Sequence, residues 1–291
     1  MYTVEMYQNH ERFNKQYNEI YEFLLKAADR GYNELFHWGR FEWMMGHSLL
    51  DTSHLDSIAL FRDEEHKIAG LIVYDTFYED RYYILHLCND PMLLKLMVDL
   101  ILSNTKNECI IKISDQDHSL CQLLQELHFV KCNKETSILE INLDQELDYK
   151  LPFGYSMSPK EFLFDHWKYQ MVIHKGFNHT DIPDKWDEKL FTPSPNSNTQ
   201  LSVFAIRSDD YCAHCQVWYS KGDTAYIEPV VTIPECRNSG LGKAVVYEAL
   251  SRARGLGAKR AIVLSEQEFY FKIGFKVSSD FYSWRRADPY S

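Results

Sequence analysis

Residues 225–250 read AYIEPVVTIPECRNSGLGKAVVYEAL, and this stretch decides the fold of the second half of the chain. Its first part, from Tyr226 to Ile233, is apolar and β-branched, which predicts a β-strand that stops at Pro234. A short loop with two glycines follows, and apolar residues then recur with helical spacing from Lys243 to Arg254. The sequence therefore predicts a strand, a glycine-bearing loop and a helix N-terminus in direct succession.

The loop between this strand and helix has the chemistry of an anion site. The first N–H groups of a helix have no intrahelical acceptor, and the helix dipole adds partial positive charge there. Gly240 and Gly242 carry no Cβ, so a ligand can approach their backbone N–H groups closely. Such a loop suits a phosphate or pyrophosphate, although a Gly-x-Gly pair alone also fits a simple turn into a helix. The spacing matches neither the P-loop nor the three-glycine dinucleotide pattern.

Two motifs together identify a family resemblance. The pattern Arg-x-x-Gly-x-Gly at residues 237–242 follows a strand and resembles motif A of the GNAT superfamily, the acyl-CoA-dependent N-acyltransferases. The pattern Tyr-x-x-x-Gly-Phe at residues 270–275 is similar to the segment near the GNAT C-terminus. The motifs stand in the family's order, and the resemblance covers residues 150–291. It implies acetyl-CoA, or another acyl-CoA, as co-substrate and no metal.

The resemblance also implies a role for each matching residue. Main-chain N–H groups beside a bulge in the preceding strand bind the acyl carbonyl and pantetheine in this family, and the matching positions are Val231 and Thr232. Tyr270 matches the tyrosine that protonates the departing thiolate, with a core tyrosine as the alternative. The residues that match the pyrophosphate loop are Arg237, Asn238, Ser239, Gly240, Leu241, Gly242, Lys243 and Ala244.

Three further groups of side chains are candidates for the chemistry. Glu228 interrupts an apolar strand, where an unpaired charge is costly, and GNAT enzymes often place a general base there; a structural carboxylate is the alternative. His174 and His179 lie where GNAT proteins shape the acceptor site, and each is a base, a substrate ligand or a solvent-facing histidine. Cys212 and Cys215 lie three apart in a strand and point to opposite faces, which argues against a metal or redox pair.

The chain also contains an internal repeat of about 140 residues, because the same order of predicted strands and helices occurs in both halves. We predict an α/β fold with a mixed, mostly antiparallel sheet flanked by helices in each of two tandem GNAT-like domains, residues 1–145 and 146–291. Where the second half has its glycine loop, the first half reads Cys88-Asn89-Asp90-Pro91. A carboxylate and a proline disfavour an anion there, so the first domain is predicted to be degenerate and to lack a CoA site.

The composition of the chain indicates which kinds of partner and which compartment to expect. The net charge of −11 argues against nucleic acid, and no apolar run approaches the length of a membrane span. The N-terminal residues have no apolar core like that of a signal peptide. Seven cysteines without a framework spacing are typical of reduced thiols, so we expect a cytoplasmic protein. We also expect a monomer or homodimer. The sequence favours transfer of an acyl group to a small-molecule amine; a non-catalytic acyl-CoA-binding or sensing protein is the alternative.

Overall fold

The computed structural model describes residues 1–47, 50–79, 81–105, 109–185 and 194–286. The fold is mixed α/β, with β-sheet flanked by helices, as predicted. The chain forms two compact units: the first holds Met1–Leu139, Leu264–Glu266 and the segment from Val277, and the second holds Glu140–Val263 and Gln267–Lys276. None of the helices in these described ranges combines the length and apolar character needed to cross a membrane.

The first unit has a sheet in the order β1-β2-β3-β4-β5-β12-β6, in which β4 and β5 are parallel. Apolar side chains of α3 and α4 pack with the strands into one buried cluster that includes Met97, Leu124 and Trp284. Its α-helices are α1 (Lys15–Ala27), α2 (Trp38–Gly46), α3 (Pro91–Asn104) and α4 (His118–Glu126). Its strands are β1 (Thr3–Met6), β2 (Ala59–Arg62), β3 (Ile68–Val73), β4 (Arg81–His86), β5 (Ile110–Ser114), β6 (Phe129–Asn142, whose end enters the second unit) and β12 (Lys276–Arg286).

The second unit has strands in the order β11-β10-β9-β8-β7, with a parallel pair between β10 and β11 and antiparallel pairs elsewhere. Tyr169, Val172 and Ile173 on one face of α5 pack against Phe204 and Val231 of this sheet. The helices are α5 (His166–Gly176), α6 (Leu241–Gly255) and α7 (Glu268–Lys272), and the strands are β7 (Ser156–Met157), β8 (Ser202–Arg207), β9 (Asp210–Trp218), β10 (Thr224–Thr232) and β11 (Arg260–Leu264).

The predicted internal repeat is present in the order of the elements. The series β2-β3-β4-α3-β5-α4-β6 recurs along the chain as β8-β9-β10-α6-β11-α7-β12. Aligning residues 123–129, LLQELHF, with residues 269–275, FYFKIGF, places His128 over Gly274, and both residues adopt left-handed backbone angles, with φ of 63° and 93°. Only glycine adopts that conformation without steric cost, so the turn after α4 preserves the backbone of its counterpart with a less suitable residue.

Several predicted boundaries are wrong. The sequence predicts a helix over Pro159–Ile173, but the helix begins only at His166, where Asp165 caps it, and it continues to Gly176. The sequence predicts a strand over Ser137–Leu143, but the strand begins at Phe129. The first half of this strand is polar and lacks the apolar pattern on which the prediction relied. A short helix is also predicted within Pro183–Phe191; most of that range lies outside the described residues, and Pro183–Lys185 are not helical.

The last strand gives the main difference between the compact units and the predicted domains 1–145 and 146–291. β12 is the last element of the second repeat in sequence but belongs to the first unit, where it pairs with β5 over Phe281–Arg285. Trp284 is 2% exposed and is part of the core of that unit. Strand pairing depends on residues distant in sequence, and hence the pattern within residues 276–286 predicts a strand but not its partner.

Replacing Trp284 tests this placement. Trp284→Ala should lower the free energy of unfolding by ~3–5 kcal/mol, the usual cost of truncating a buried aromatic residue. Amide hydrogen exchange should rise first in β5. Val277→Ala, at a residue of the same strand that is 52% exposed, is the matched control and should have little effect. Faster exchange confined to β8 and β9 would contradict the assignment of β12 to the first unit.

Candidate active site

The start of α6 is the feature on which the site is built. Its N-cap is Gly240, with φ of 88° and no capping side chain within the described part of the chain. By contrast, polar side chains accept from the first-turn N–H groups of the five preceding α-helices: Asn14, His37, Asp90, Asp117 and Asp165. Among the described residues, no side chain caps the N–H groups that open α6, which leaves them available to an anion.

The strand that leads to this helix is open along one edge. β10 pairs with β11 only from Thr224 to Tyr226, and its register with β9 shifts between Ile227 and Val230. This irregularity is the bulge that the family resemblance implied. Beyond Tyr226 the two parallel strands no longer pair in the described residues, so backbone groups on that edge of β10 are exposed to a ligand.

The alternation of backbone groups decides which of them face the open edge. The N–H of Ile233 donates to the carbonyl of Cys212 on β9 at 3.0 Å. Neighbouring residues of a strand point their N–H groups to opposite sides, so the N–H of Val231 also turns toward β9. The N–H groups of Val230 and Thr232 turn away from β9.

A cleft of about 620 Å³ lies at this edge, within the usual range for a small-molecule site. Five parts of the second unit form its wall: the end of α5, the end of β10, the loop before α6, the first turn of α6, and α7 with the residue before it. The lining residues are Gly176, Phe177, Asn178, Val230, Val231, Thr232, Cys236, Arg237, Asn238, Gly240, Leu241, Gly242, Lys243, Gln267, Phe269 and Tyr270.

Arg237 joins two walls of the cleft. Its Nε donates to the carbonyl of Thr232 at 3.0 Å, and its Nη2 donates to the carbonyl of Gly176 at 2.8 Å. These bonds connect the end of β10 to the end of α5 and hold the guanidinium at the cleft. Lys243 supplies a second positive charge, with its Nζ 4.8 Å from the ring centroid of Tyr247.

The two loop glycines have different surroundings. A Cβ at Gly240 would meet no atom within 4 Å, but the positive φ disfavours any other residue. A Cβ at Gly242 would lie 3.2 Å from the ring of Phe269, which covers this position. Gly240 therefore provides the backbone turn, whereas Gly242 leaves room between the helix and an aromatic wall.

Tyr270 presents a buried phenol to the cleft. This residue is 6% exposed, and its hydroxyl has no hydrogen-bond partner in the described ranges of the chain. Burial raises the pKa of this phenol well above its ordinary value, and nearby Cys215 and Glu228 raise it further. The phenol is therefore protonated at physiological pH and can donate its proton to a ligand.

Glu228 lies on β10 at the irregular part of the strand. It is half-buried, and its Oε2 accepts from the hydroxyl of Tyr226 at 2.6 Å. The Nε1 of Trp218 donates to its backbone carbonyl at 2.7 Å. These contacts hold the carboxylate in place, and its negative charge is one of the causes that raise the pKa of the Tyr270 phenol.

The corresponding helix of the first unit already has an acidic cap. The Oδ1 of Asp90 accepts from the N–H of Met92 at 2.9 Å, and the hydroxyl of Tyr2 donates to Oδ2 at 2.7 Å. The bond from Tyr2 is the largest of the interactions that lower the pKa of Asp90. An anionic ligand at this helix would meet a carboxylate that occupies the position it needs.

The predicted site residues fall into two groups. Residues that line the cleft are Val231, Thr232, Arg237, Asn238, Gly240, Leu241, Gly242, Lys243 and Tyr270. Ser239 instead donates its hydroxyl to the carbonyl of Cys236 at 2.5 Å, and Ala244 is buried. Glu228 does not line this cleft as far as the described chain shows, although it interacts with Tyr270. Gly176, Phe177 and Asn178 also line the cleft and were not predicted, since their approach depends on how α5 packs on the sheet.

Comparisons with known proteins agree with this geometry. A family model described as Acetyltransferase (GNAT) family matches residues 169–275, which include every residue that lines the cleft. No curated protein matches the chain.

Solved structures extend the likeness over the whole chain. A tandem GNAT protein from the clavulanic acid biosynthesis pathway, solved without AcCoA, is 11% identical with a TM-score of 0.60, over 98% of each chain. A GCN5-related N-acetyltransferase from Sphaerobacter thermophilus is 12% identical with a TM-score of 0.58, over 98% of this chain and 95% of that one. L-PGS from Bacillus licheniformis is 10% identical with a TM-score of 0.57, over 98% and 95%. The resemblance is confirmed: residues 169–275 form a GNAT domain, and the chain has the tandem GNAT fold.

Gly240→Asp tests the start of α6 as the cofactor site. The substitution places a negative charge at the uncapped N–H groups, so CoA binding should be lost, while the wild-type chain should bind a single CoA by calorimetry. Gly222→Asp is the matched control, because Gly222 also has positive φ, 86°, and open space around its Cα, but lies before the start of β10. Equal CoA affinity in the two variants would contradict the assignment, and two equivalent CoA sites in the wild type would contradict degeneracy of the first unit.

Proposed function

We propose that the GNAT domain transfers an acyl group from acetyl-CoA to the amine of a small molecule. The observation that carries this proposal is the uncapped start of α6 beside the open edge of β10. A shared fold alone supports no particular donor or acceptor. A glycine loop that leaves helix N–H groups free has the chemistry to bind the pyrophosphate of CoA. Another acyl-CoA would suit the same loop.

The cofactor would lie along two structural features. Its pyrophosphate would accept from the N–H groups at Gly240, Leu241, Gly242 and Lys243, with Arg237 and Asn238 at the rim. Its pantetheine arm would extend along the unpaired edge of β10, as an added strand does. Val230 and Thr232 turn their N–H groups toward this edge and are the main-chain donors we propose; Val231, implied by the resemblance, would contribute its side chain to the wall.

Acyl transfer in this cleft needs stabilised charge and two proton movements. The amine nitrogen attacks the thioester carbonyl carbon, and an N–H of β10 would stabilise the oxyanion that forms. Glu228, acting through water, would accept the proton that the amine loses. The C–S bond then breaks, and Tyr270 would donate its proton to the leaving thiolate. The products are an amide and CoA, and the tyrosine recovers its proton from solvent.

The charge and the cysteines of the chain bear on the kind of acceptor and on the cellular compartment. A net charge of −11 is compatible with a cationic amine and unfavourable for nucleic acid. All seven cysteines, each within the described ranges, are free thiols, which supports a reducing compartment such as the cytoplasm. We propose a monomer or homodimer that acts on a small molecule and not at a membrane.

Tyr270→Phe tests the proposed acid. The acceptor is first found by measuring CoA release from acetyl-CoA with a panel of polyamines, amino sugars and amino acids. On the best acceptor, Tyr270→Phe should lower kcat by ~10²-fold, the lower end of the usual range for general acid catalysis, because a thiolate leaves readily unaided. Affinity for CoA should be unchanged, since the fold and the glycine loop are retained.

Tyr219→Phe is the control for loss of a buried hydroxyl. The Tyr219 hydroxyl donates to the carbonyl of Gly222 at 2.9 Å, and burial raises the pKa of this phenol as it does for Tyr270. The kcat of Tyr219→Phe should match that of the wild type. Full turnover in Tyr270→Phe would show that the tyrosine is structural. Acetyl-CoA binding without CoA release on any amine would favour the acyl-CoA-sensing alternative.

A further inference from the structure

A cluster of metal-ligating side chains lies at the end of α5, apart from the residues that line the cofactor cleft. It consists of His174, His179 and Asp181, each of which offers one ligand atom, and these atoms lie within 4.8 Å of one another. Two imidazoles and a carboxylate are a common ligand set for Zn²⁺ and related first-row metals. The proposed chemistry of acyl transfer uses none of the three.

The turn after α5 brings these side chains together. The N–H of Asn178 donates to the carbonyl of Lys175 at 2.9 Å, and the N–H of His179 donates to the carbonyl of His174 at 3.2 Å. Asn178 has φ of 67°, a conformation that asparagine tolerates better than most residues. The chain therefore reverses directly after the helix and returns the second histidine to the first.

The two histidine rings and the carboxylate lie side by side. The two imidazole rings stack with centroids 4.6 Å apart and an interplanar angle of 25°. The Nε2 of His174 lies 2.9 Å from the Oδ1 of Asp181, so this nitrogen already faces the carboxylate. The side chain of His174 is 13% exposed, whereas that of Asp181 is 76% exposed. One ligand is thus anchored by the helix, and the other two can adjust from the solvent side.

We propose that His174, His179 and Asp181 bind a divalent first-row transition metal, with water completing the coordination. On binding, the metal would replace the Nε2 proton of His174, which is released to solvent. The Nε2 of His174 and the Oδ1 of Asp181 would then move slightly apart so that each lies ~2.0–2.2 Å from the metal. The family resemblance implied no metal, and neither histidine alone indicates one. A pair spaced His-x-x-x-x-His and followed by Asp is visible in the sequence but becomes a cluster only through the turn at Asn178.

At this location the metal would stabilise the turn after α5, which forms one wall of the cofactor cleft. Gly176, Phe177 and Asn178 lie between the two histidines and form one wall of the cofactor cleft. Arg237 holds this segment from the other side through the carbonyl of Gly176. A metal bound to His174 and His179 would fix the same turn from the solvent side.

The test measures metal binding directly on the full chain, prepared without a histidine tag and stripped with a chelator. Calorimetry with Zn²⁺ and absorption spectra with Co²⁺ should show a single ion per chain and a rise in thermal stability. His179→Gln removes an exposed ligand. Loss of a residue that only supports a ligand weakens metal binding by ~10–100-fold, so loss of the ligand itself should weaken it at least as much. His118→Gln, at an exposed histidine of α4, is the matched control and should bind as the wild type does.

Three results would overturn the proposal. The first is a wild-type chain that binds no stoichiometric metal, and the second is a His179→Gln variant that binds the metal as tightly as the wild type. The third is a thiolate charge-transfer band in the Co²⁺ spectrum, which would place the ion on cysteine. Asp181→Asn, also at an exposed position, repeats the test if His179→Gln is poorly folded. Loss or retention of CoA binding does not affect either measurement, so this proposal can fail independently of the acyltransferase function.

Discussion

The unsatisfied N–H groups at the start of α6 are the constraint on which the site depends. Helix N-termini in proteins are normally capped by a side chain, and an uncapped end is stabilised by water or by an anion. At this end Gly240 supplies a backbone turn and no capping atom. The bulge in β10 and the loss of pairing with β11 open the adjacent edge, and Arg237 links that edge to α5. A localised positive potential thus lies at the end of an open strand.

The first unit shows that the fold alone does not create this site. It has the same order of elements, and α3 stands where α6 stands in the second repeat. Its first turn, however, contains Pro91, which has no N–H, and is capped by Asp90, which in turn accepts from Tyr2. Asp90 and Pro91 at the start of α3 therefore make this helix unfavourable for an anion, whereas the start of α6 can bind one.

The sequence predicted the features that depend on neighbouring residues. The strand, glycine loop and helix of residues 225–250 are confirmed, because β-branched runs, glycines and helical spacing are local signals. Features that depend on distant residues could not be predicted. β12 joins the first unit through pairing with β5, and Gly176 reaches the cleft only because its missing Cβ lets α5 approach Val231 closely. The polar half of β6 was missed since it carries no apolar alternation.

A crystal structure with acetyl-CoA would test the central claim most directly. We predict pyrophosphate oxygens within hydrogen-bond distance of the N–H groups from Gly240 to Lys243. The pantetheine should run along the free edge of β10 and accept from Val230 and Thr232, with the thioester sulfur beside the hydroxyl of Tyr270. Acetyl-CoA bound at the start of α3, or with its pyrophosphate away from α6, would contradict the account.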